Sequence, residues 1–234
     1  GRRYNLLRIH SRAGDELMTV ATKIIMGSGG VPEPSDDDFN TVGFLSHFDG
    51  ANNGVNNVFD DESTNNYTVT IANSSSYPIP QGSFSPFSKP DGEWGAYFDG
   101  TGDYIQTAAS SDFQFGTGDY TVEMFVYHTS ISGQQTYFSD PNGNNAGVYF
   151  YKDSNNKLGL YYSGQIVTGS SNVPVNQWVH VAVCRASGTS RLFLDGVLQG
   201  SASDTTNLTE TAYSIGNSVG GNNEFIGYIS QVRV

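Results

Sequence analysis

The sequence predicts an all-β protein, an antiparallel β-sandwich with a short N-terminal extension. Composition is the first reason. Gly (28), Tyr (14) and Phe (14) are abundant while charged residues make up only 15% of the chain. Gly, Asn and Ser supply turns, and aromatic and β-branched residues suit the pleated, half-buried surface of a strand. The second reason is spacing: beyond residue 40, short strand candidates recur with turn residues about every 8–12 positions, the pattern of a sandwich or barrel. The third is alternation. In TVEMFVY, Val122, Met124 and Val126 share one face with Glu123 opposite, and in WVHVAVC, Trp178, His180 and Ala182 oppose Val179, Val181 and Val183. Two packed antiparallel sheets are the simplest way to bury so many aromatic side chains.

The chain divides into three stretches. Residues 1–26 contain LLRIH and ELMTVATKIIM. The apolar spacing of the second run fits a short helix and a buried strand equally. The segment is too small to fold alone and reads as an anchoring arm that needs a partner surface. Residues 27–40, GSGGVPEPSDDDFN, combine Gly, Ser, Pro and three consecutive Asp, Asp36 to Asp38, which read as a solvated linker. Residues 41–234 hold the strand candidates, from VGFLSHF through YTVTIA, WGAYF, YIQTA, YTVEMFVYH, QTYFSD, GVYFYK, LGLYYS, QWVHVAVCR, SRLFLDG and AYSIGN to EFIGYISQVRV.

Charge is uneven. Residues 1–30 hold five bases against two acids, a balance of +3, whereas the remainder holds six bases against 21 acids, a balance of −15. So acidic a body disfavours nucleic acid, which is bound through clustered Lys and Arg, and the basic arm suits an acidic protein partner. The single cysteine, Cys184, rules out an intrachain disulfide and reads as a small buried hydrophobe. No run of about 18 apolar residues marks a membrane span.

Few motifs carry chemistry. GTGDY occurs at 100–104 and again at 116–120. Gly supplies positive φ and Asp bonds its own following backbone, so both copies read as matched turns between antiparallel strands. Catalytic constellations are missing from the pattern. Glu123 is a lone carboxylate in its strand candidate, Asp91 and Glu93 sit in a loop candidate, and His10, His47, His128 and His180 are scattered. Glycoside hydrolysis needs paired carboxylates and zinc needs clustered His and Cys. The expectation is a protein that is not an enzyme, with no catalytic residue.

Binding is the better prospect. Sugar recognition uses an aromatic face with polar side chains on the hydroxyls. The stretch TYFSDPNGNNAGVYFYKDSNNKLGLYYSG offers both, with Tyr137, Asn142, Asn144, Tyr149 and Tyr151 as the ligand-binding candidates. Alternation sets Tyr149 and Tyr151 opposite Phe150, so a core-facing Phe150 turns both tyrosines outward. The same turn, through Asp140, Asn142 and Asn144, is the calcium candidate because all three offer oxygen donors. The loop NSVGGNNE at 217–224 is a second rim candidate.

AYFDGTGDYI, SDFQFGTGDYTVEMFVYHTS, VPVNQWVHVAVCRASGTSRLFLDGVLQG, AYSIGN and FIGYISQVRV follow one another in order. This succession resembles a laminin-G-like domain of the concanavalin A-like lectin/glucanase superfamily, across residues 42–234. The resemblance implies a jelly-roll sandwich with ligand sites on rim loops or the concave sheet. It also implies a core role for Trp178, a hairpin turn at Asp195-Gly196 and, at a rim loop, calcium. The opening FLSHFDGANNGVNNVFDDESTNNYTVTIANSSS is similar to the start of such domains on bacteriophage tail fibres and capsid fibres. That likeness implies a virion surface location, other virion proteins as partners of residues 1–30, a homotrimer, and carbohydrate or a cell-surface glycan as ligand. The alternative is a secreted bacterial adhesin or carbohydrate-binding module at the cell surface.

Overall fold

A computed structural model of the chain describes residues 39–50, 58–71, 78–87, 93–143, 146–218 and 223–234. The expected arm, 1–26, and the expected linker up to residue 38 lie outside the described residues. Fifteen strands run in order: β1 (Leu45–Ser46), β2 (Val69–Ile71), β3 (Gln81–Gly82), β4 (Gly95–Asp99), β5 (Ile105–Thr107), β6 (Tyr120–His128), β7 (Gln135–Ser139), β8 (Tyr149–Lys152), β9 (Lys157–Tyr161), β10 (Gln165–Asn172), β11 (Trp178–Ala186), β12 (Thr189–Leu194), β13 (Val197–Ser203), β14 (Ser214–Ile215) and β15 (Ile226–Arg233). Helix among the described residues is limited to single 3-10 turns at Phe39–Thr41 and Ser111–Phe113. No helix there is long and apolar enough to cross a membrane.

The strands form two antiparallel sheets. One has the order β13-β12-β11-β6-β15-β4-β3, with β1 also paired to β15; the other has the order β10-β9-β8-β7-β14-β5-β2. We call them the first and second sheet. Their inner faces meet in one core, and alternation decides who enters it. Val122, Met124 and Val126 of β6 and Val179, Val181 and Val183 of β11 point inward from the first sheet, against Phe138, Phe150, Leu158 and Leu160 of the second. The all-β antiparallel sandwich read from the sequence is the fold observed.

Two polar strands close one side. QIVTGSSN (β10) and VLQGSAS (β13) lack the apolar alternation of the central strands because each is an edge strand with little to bury. Gln199 of β13 ties the two edges together: its Oε1 accepts from Ser171 N at 2.9 Å and from Ser170 Oγ at 3.1 Å.

The GTGDY copies are not hairpins. The first lies between β4 and β5, which belong to different sheets, and the second carries the chain from the 3-10 turn at 111–113 into β6. Both therefore sit where the chain crosses between the sheets. The hairpin geometry appears instead at Asp195-Gly196 between β12 and β13, where φ is +48° and +75° and the Asp195 carboxylate accepts from His180 N. Cys184 is buried, as expected of a small hydrophobe. Its neighbours are Ala182 and Phe193, a small cluster apart from the main core.

Candidate functional site

On β8 the side chains alternate as the pleat requires. Phe150 is fully buried in the core, so Tyr149 and Tyr151 stand together on the outer face of the second sheet, their rings stacked 4.8 Å apart at 25°. Tyr161 of β9 lies directly opposite Tyr149 in register and meets it edge-on at 6.3 Å and 83°. Opposite Tyr151 is Gly159, and a Cβ there would fall 2.5 Å from the Tyr151 ring. The glycine thus lets the tyrosine lie flat on the sheet, which leaves Tyr151 only 6% exposed. Tyr149 and Tyr161 keep partly open rings.

Polar groups frame these rings. Gln134 Nε2 donates to the Tyr149 hydroxyl, and Asn223 Nδ2 and Thr136 Oγ1 approach it at 3.2 and 3.3 Å. Tyr151 donates its hydroxyl to Gln165 Oε1. Gln165 is in turn fixed by donation to the backbone carbonyls of Leu160 and Val167. Beneath this face the buried Lys152 ammonium donates to the carbonyls of Ile131, Gly133 and Asp153 and to Asn156 Oδ1. Lys152 thereby holds the β6–β7 and β8–β9 turns in place; burial lowers its pKa from its ordinary value.

Tyr137, expected on the binding surface, is instead in the core with no exposure. The reason is a register irregularity in β7 between Thr136 and Phe138. It breaks strict alternation, and both Tyr137 and Phe138 turn inward. The Tyr137 hydroxyl lies 3.0 Å from His128 Nε2, while His128 Nδ1 lies 3.0 Å from Gln135 Oε1. Burial pushes the His128 imidazole down to about 4, so it is neutral at physiological pH.

At the rim, the β7–β8 turn is closed on itself. Asp140 Oδ1 accepts from Asn142 N at 2.7 Å and Gly143 N at 3.2 Å, and its Oδ2 accepts from Ala146 N at 3.4 Å. Asn142 donates its side-chain amide to both Glu210 carboxylate oxygens at 3.1 Å. Burial and then the nearby Glu210 charge raise the Asp140 pKa. Asn144 lies outside the described residues. In this arrangement Asp140 accepts from its own loop's N–H groups and Asn142 turns its amide donor to Glu210, so the loop's own hydrogen bonds engage both of these expected calcium ligands.

A second aromatic surface escaped sequence reasoning. Across β4, β15, β6 and β11, Tyr97, Tyr228, Tyr127 and Trp178 occupy adjacent register positions on the outer face of the first sheet. Phe84, 47% exposed, caps them, with its ring 4.6 Å from Tyr228, 5.1 Å from Tyr127 and 5.5 Å from Trp178. Alternation marks each member as outward-facing, since each adjoins in its strand a residue that enters the core, as Tyr97 does Phe98 and Trp178 does Val179, but only the register brings the four together.

Residues 99–234 match a laminin G family described as Concanavalin A-like lectin/glucanases superfamily. The chain belongs to this superfamily. Its sandwich is similar to domain 4 of AbnA, an extracellular arabinanase from Geobacillus stearothermophilus, in complex with arabinotriose (19% identity, TM-score 0.56, 82% of this chain and 90% of that one). It is also similar to botulinum neurotoxin type C, whose cell entry depends on interaction with two ganglioside molecules (11% identity, TM-score 0.59, 85% of this chain and 48% of that one). A third is Trypanosoma rangeli sialidase (18% identity, TM-score 0.56, 81% of this chain and 29% of that one). The chain thus spans about half of the toxin chain and under a third of the sialidase chain. At these identities the likeness is one of fold. A comparison of the sequence with curated proteins gives no match.

For this lectin-like sandwich, one expectation attached to the resemblance needs correcting. Trp178 is not a core anchor. It lies on the outer face of the first sheet beneath Phe84, because Val179 takes the inward position next to it.

Proposed function

We propose that the protein is a non-enzymatic surface protein of a bacteriophage virion, in which residues 1–30 attach to other virion proteins and the lectin-like sandwich takes carbohydrate from a host or other cell surface. The observation that carries the carbohydrate reading is the Tyr149–Tyr161 pair. Two partly open rings stand on one sheet face, and Gln134, Thr136 and Asn223 gather around the Tyr149 hydroxyl. Rings offer an apolar platform to a sugar face, and the amides reach hydroxyls at its edge. The similarity to a domain of an extracellular arabinanase favours the second reading, a secreted bacterial adhesin or carbohydrate-binding module.

Glycan-array binding by the full chain tests the ligand class. Tyr149→Ala and Tyr161→Ala are each expected to weaken binding at least about tenfold, the loss of one aromatic stack of about 1.4 kcal/mol, with unfolding curves little changed. Binding that survives both but is lost in Tyr228→Ala would move the site to the first sheet. Repeating the array with a chelator reads calcium dependence directly. Size-exclusion chromatography with light scattering tests the trimer. Immunogold labelling of phage particles separates the two biological settings: label on capsid or tail supports the virion role, whereas label on cells alone supports the adhesin.

A further inference from the structure

We propose that His47, Asp49 and Glu62 form a binding site for one divalent transition-metal ion of the zinc class. One ligand atom from each, an imidazole nitrogen and two carboxylate oxygens, lies within 4.8 Å of the others. His47 Nδ1 and Glu62 Oε2 are 3.3 Å apart. Two ligands held about 2.1 Å from a tetrahedral ion stand about 3.4 Å apart, so this edge of the site already has its final length.

The backbone explains the convergence. Phe48 is buried in the core with φ of +56°, so its neighbours His47 and Asp49 are both left outside it. The His47 carbonyl accepts from Trp94 N at 2.9 Å, which fixes its strand end. Opposite, Asp61 is 3% exposed and stitches its own segment to β1: its carboxylate accepts from Leu45 N, Ser63 N, Ser63 Oγ and Tyr67 N. Glu62, next in the chain and held by donation of its N–H to Leu45 O at 2.7 Å, is thereby turned toward His47. Among the described residues no other three His, Cys, Asp or Glu side chains converge in this way.

The donor set selects the ion. Calcium and magnesium take oxygen ligands, whereas an imidazole nitrogen with two carboxylates suits zinc, cobalt or manganese. The His47 and Glu62 side chains are 16% and 37% exposed, so water reaches the remaining coordination positions. A dication balances the two carboxylates and clamps the β1 end to the Asp60–Ser63 segment.

The test uses the full chain, stripped with chelator, dialysed against zinc and counted by mass spectrometry, with cobalt(II) absorption as the second readout. One equivalent should bind and raise the unfolding temperature. His47→Gln and Glu62→Gln should each lose it, while His180→Gln and Asp140→Asn keep it; calcium alone should not raise the unfolding temperature through these residues. If the His47 and Glu62 variants fail to fold, zinc protection of His47 from diethyl pyrocarbonate in the unsubstituted chain takes their place. No retained ion, retention undiminished in His47→Gln, or modification of His47 unaffected by zinc would each overturn the proposal. Loss of the ion leaves glycan-array binding unaffected on this account, so failure here and failure of the carbohydrate reading are separate results.

Discussion

The two GTGDY turns share five residues and almost nothing else. At 100–104 the turn is surrounded by acids. Asp103 is 2% exposed and accepts from Asp99 N at 2.7 Å, Asp99 accepts from Thr101 N at 2.7 Å, and Glu224 accepts from Gly102 N at 2.5 Å. At 116–120 the turn is gripped by a buried cation. Arg185, 1% exposed, donates to the carbonyls of Gly116, Gly118 and Thr206 at 2.7–2.8 Å, while Asp119 faces solvent and accepts from Ser187 N. The repeated letters encode a backbone path with two positive-φ opportunities. What each turn does electrostatically depends on its surroundings: the adjacent Asp99 and the distant Glu224 at the first, the distant Arg185 at the second.

The strongest way to break the comparison is Arg185→Met. Its guanidinium satisfies three carbonyls, lies 5.2 Å from the Tyr120 ring centroid and pairs with Asp204 at 3.7 Å, with both side chains fully buried. Asp204 keeps a lowered pKa despite burial, because Ser190 and Thr206 donate to it and Arg185 is close. Removing the cation leaves a buried carboxylate without its counter-charge, a loss of about 3–5 kcal/mol in urea unfolding. Arg185→Met with Asp204→Asn should recover part of that loss, and additive costs in the double variant would show that the pair is not coupled.

The acid-lined turn should respond in the opposite direction. Burial first, and then the Asp99 and Glu224 charges, push the Asp103 carboxyl up to about 6 from its ordinary 3.8. A carboxyl whose folded pKa is raised stabilises the fold below its unfolded pKa and loses that contribution as pH rises through the folded value. Asp103→Asn keeps an oxygen for Asp99 N and removes the charge. It should therefore be more stable than the parent by about 1–3 kcal/mol at pH 8, with the difference vanishing below about pH 4. Parallel stability profiles for parent and variant across that range would refute it.

What the sequence made legible follows from the same distinction. Strands β6 and β11 were readable because their inward Val and Met residues alternate without interruption. Strand β7 defeated the rule because an irregularity between Thr136 and Phe138 turns Tyr137 inward, and nothing in QTYFS marks it. Of the expected ligand residues, Tyr149 stands open on its face and Tyr151 lies under it almost covered, since the cross-strand Gly159 lets it collapse onto the sheet. The partner Tyr161 could not be assigned without register, nor could the Phe84-capped ladder, whose members come from four strands and a loop. The His47–Glu62 approach needed the Asp61 stitch, a contact between residues 16 apart.

The finest comparison is between the leading glycines of the two turns. Gly100 and Gly116 have φ of +85° and +58°, so Ala at either position adopts a left-handed conformation that costs about 1 kcal/mol. Their surroundings differ. A Cβ on Gly100 would lie 2.6 Å from Ile226 Cγ1, whereas the nearest atom to a Cβ on Gly116 is Asn207 Oδ1 at 3.8 Å. Gly116→Ala should therefore lose only the conformational term, and Gly100→Ala should lose about 1 kcal/mol more as β15 gives way around Ile226. Shortening the obstructing side chain separates the terms: with Ile226→Ala in the background, the two glycine substitutions should become equal in cost. If Gly100→Ala still costs more there, the difference between the turns lies in their backbones and not in what packs against them.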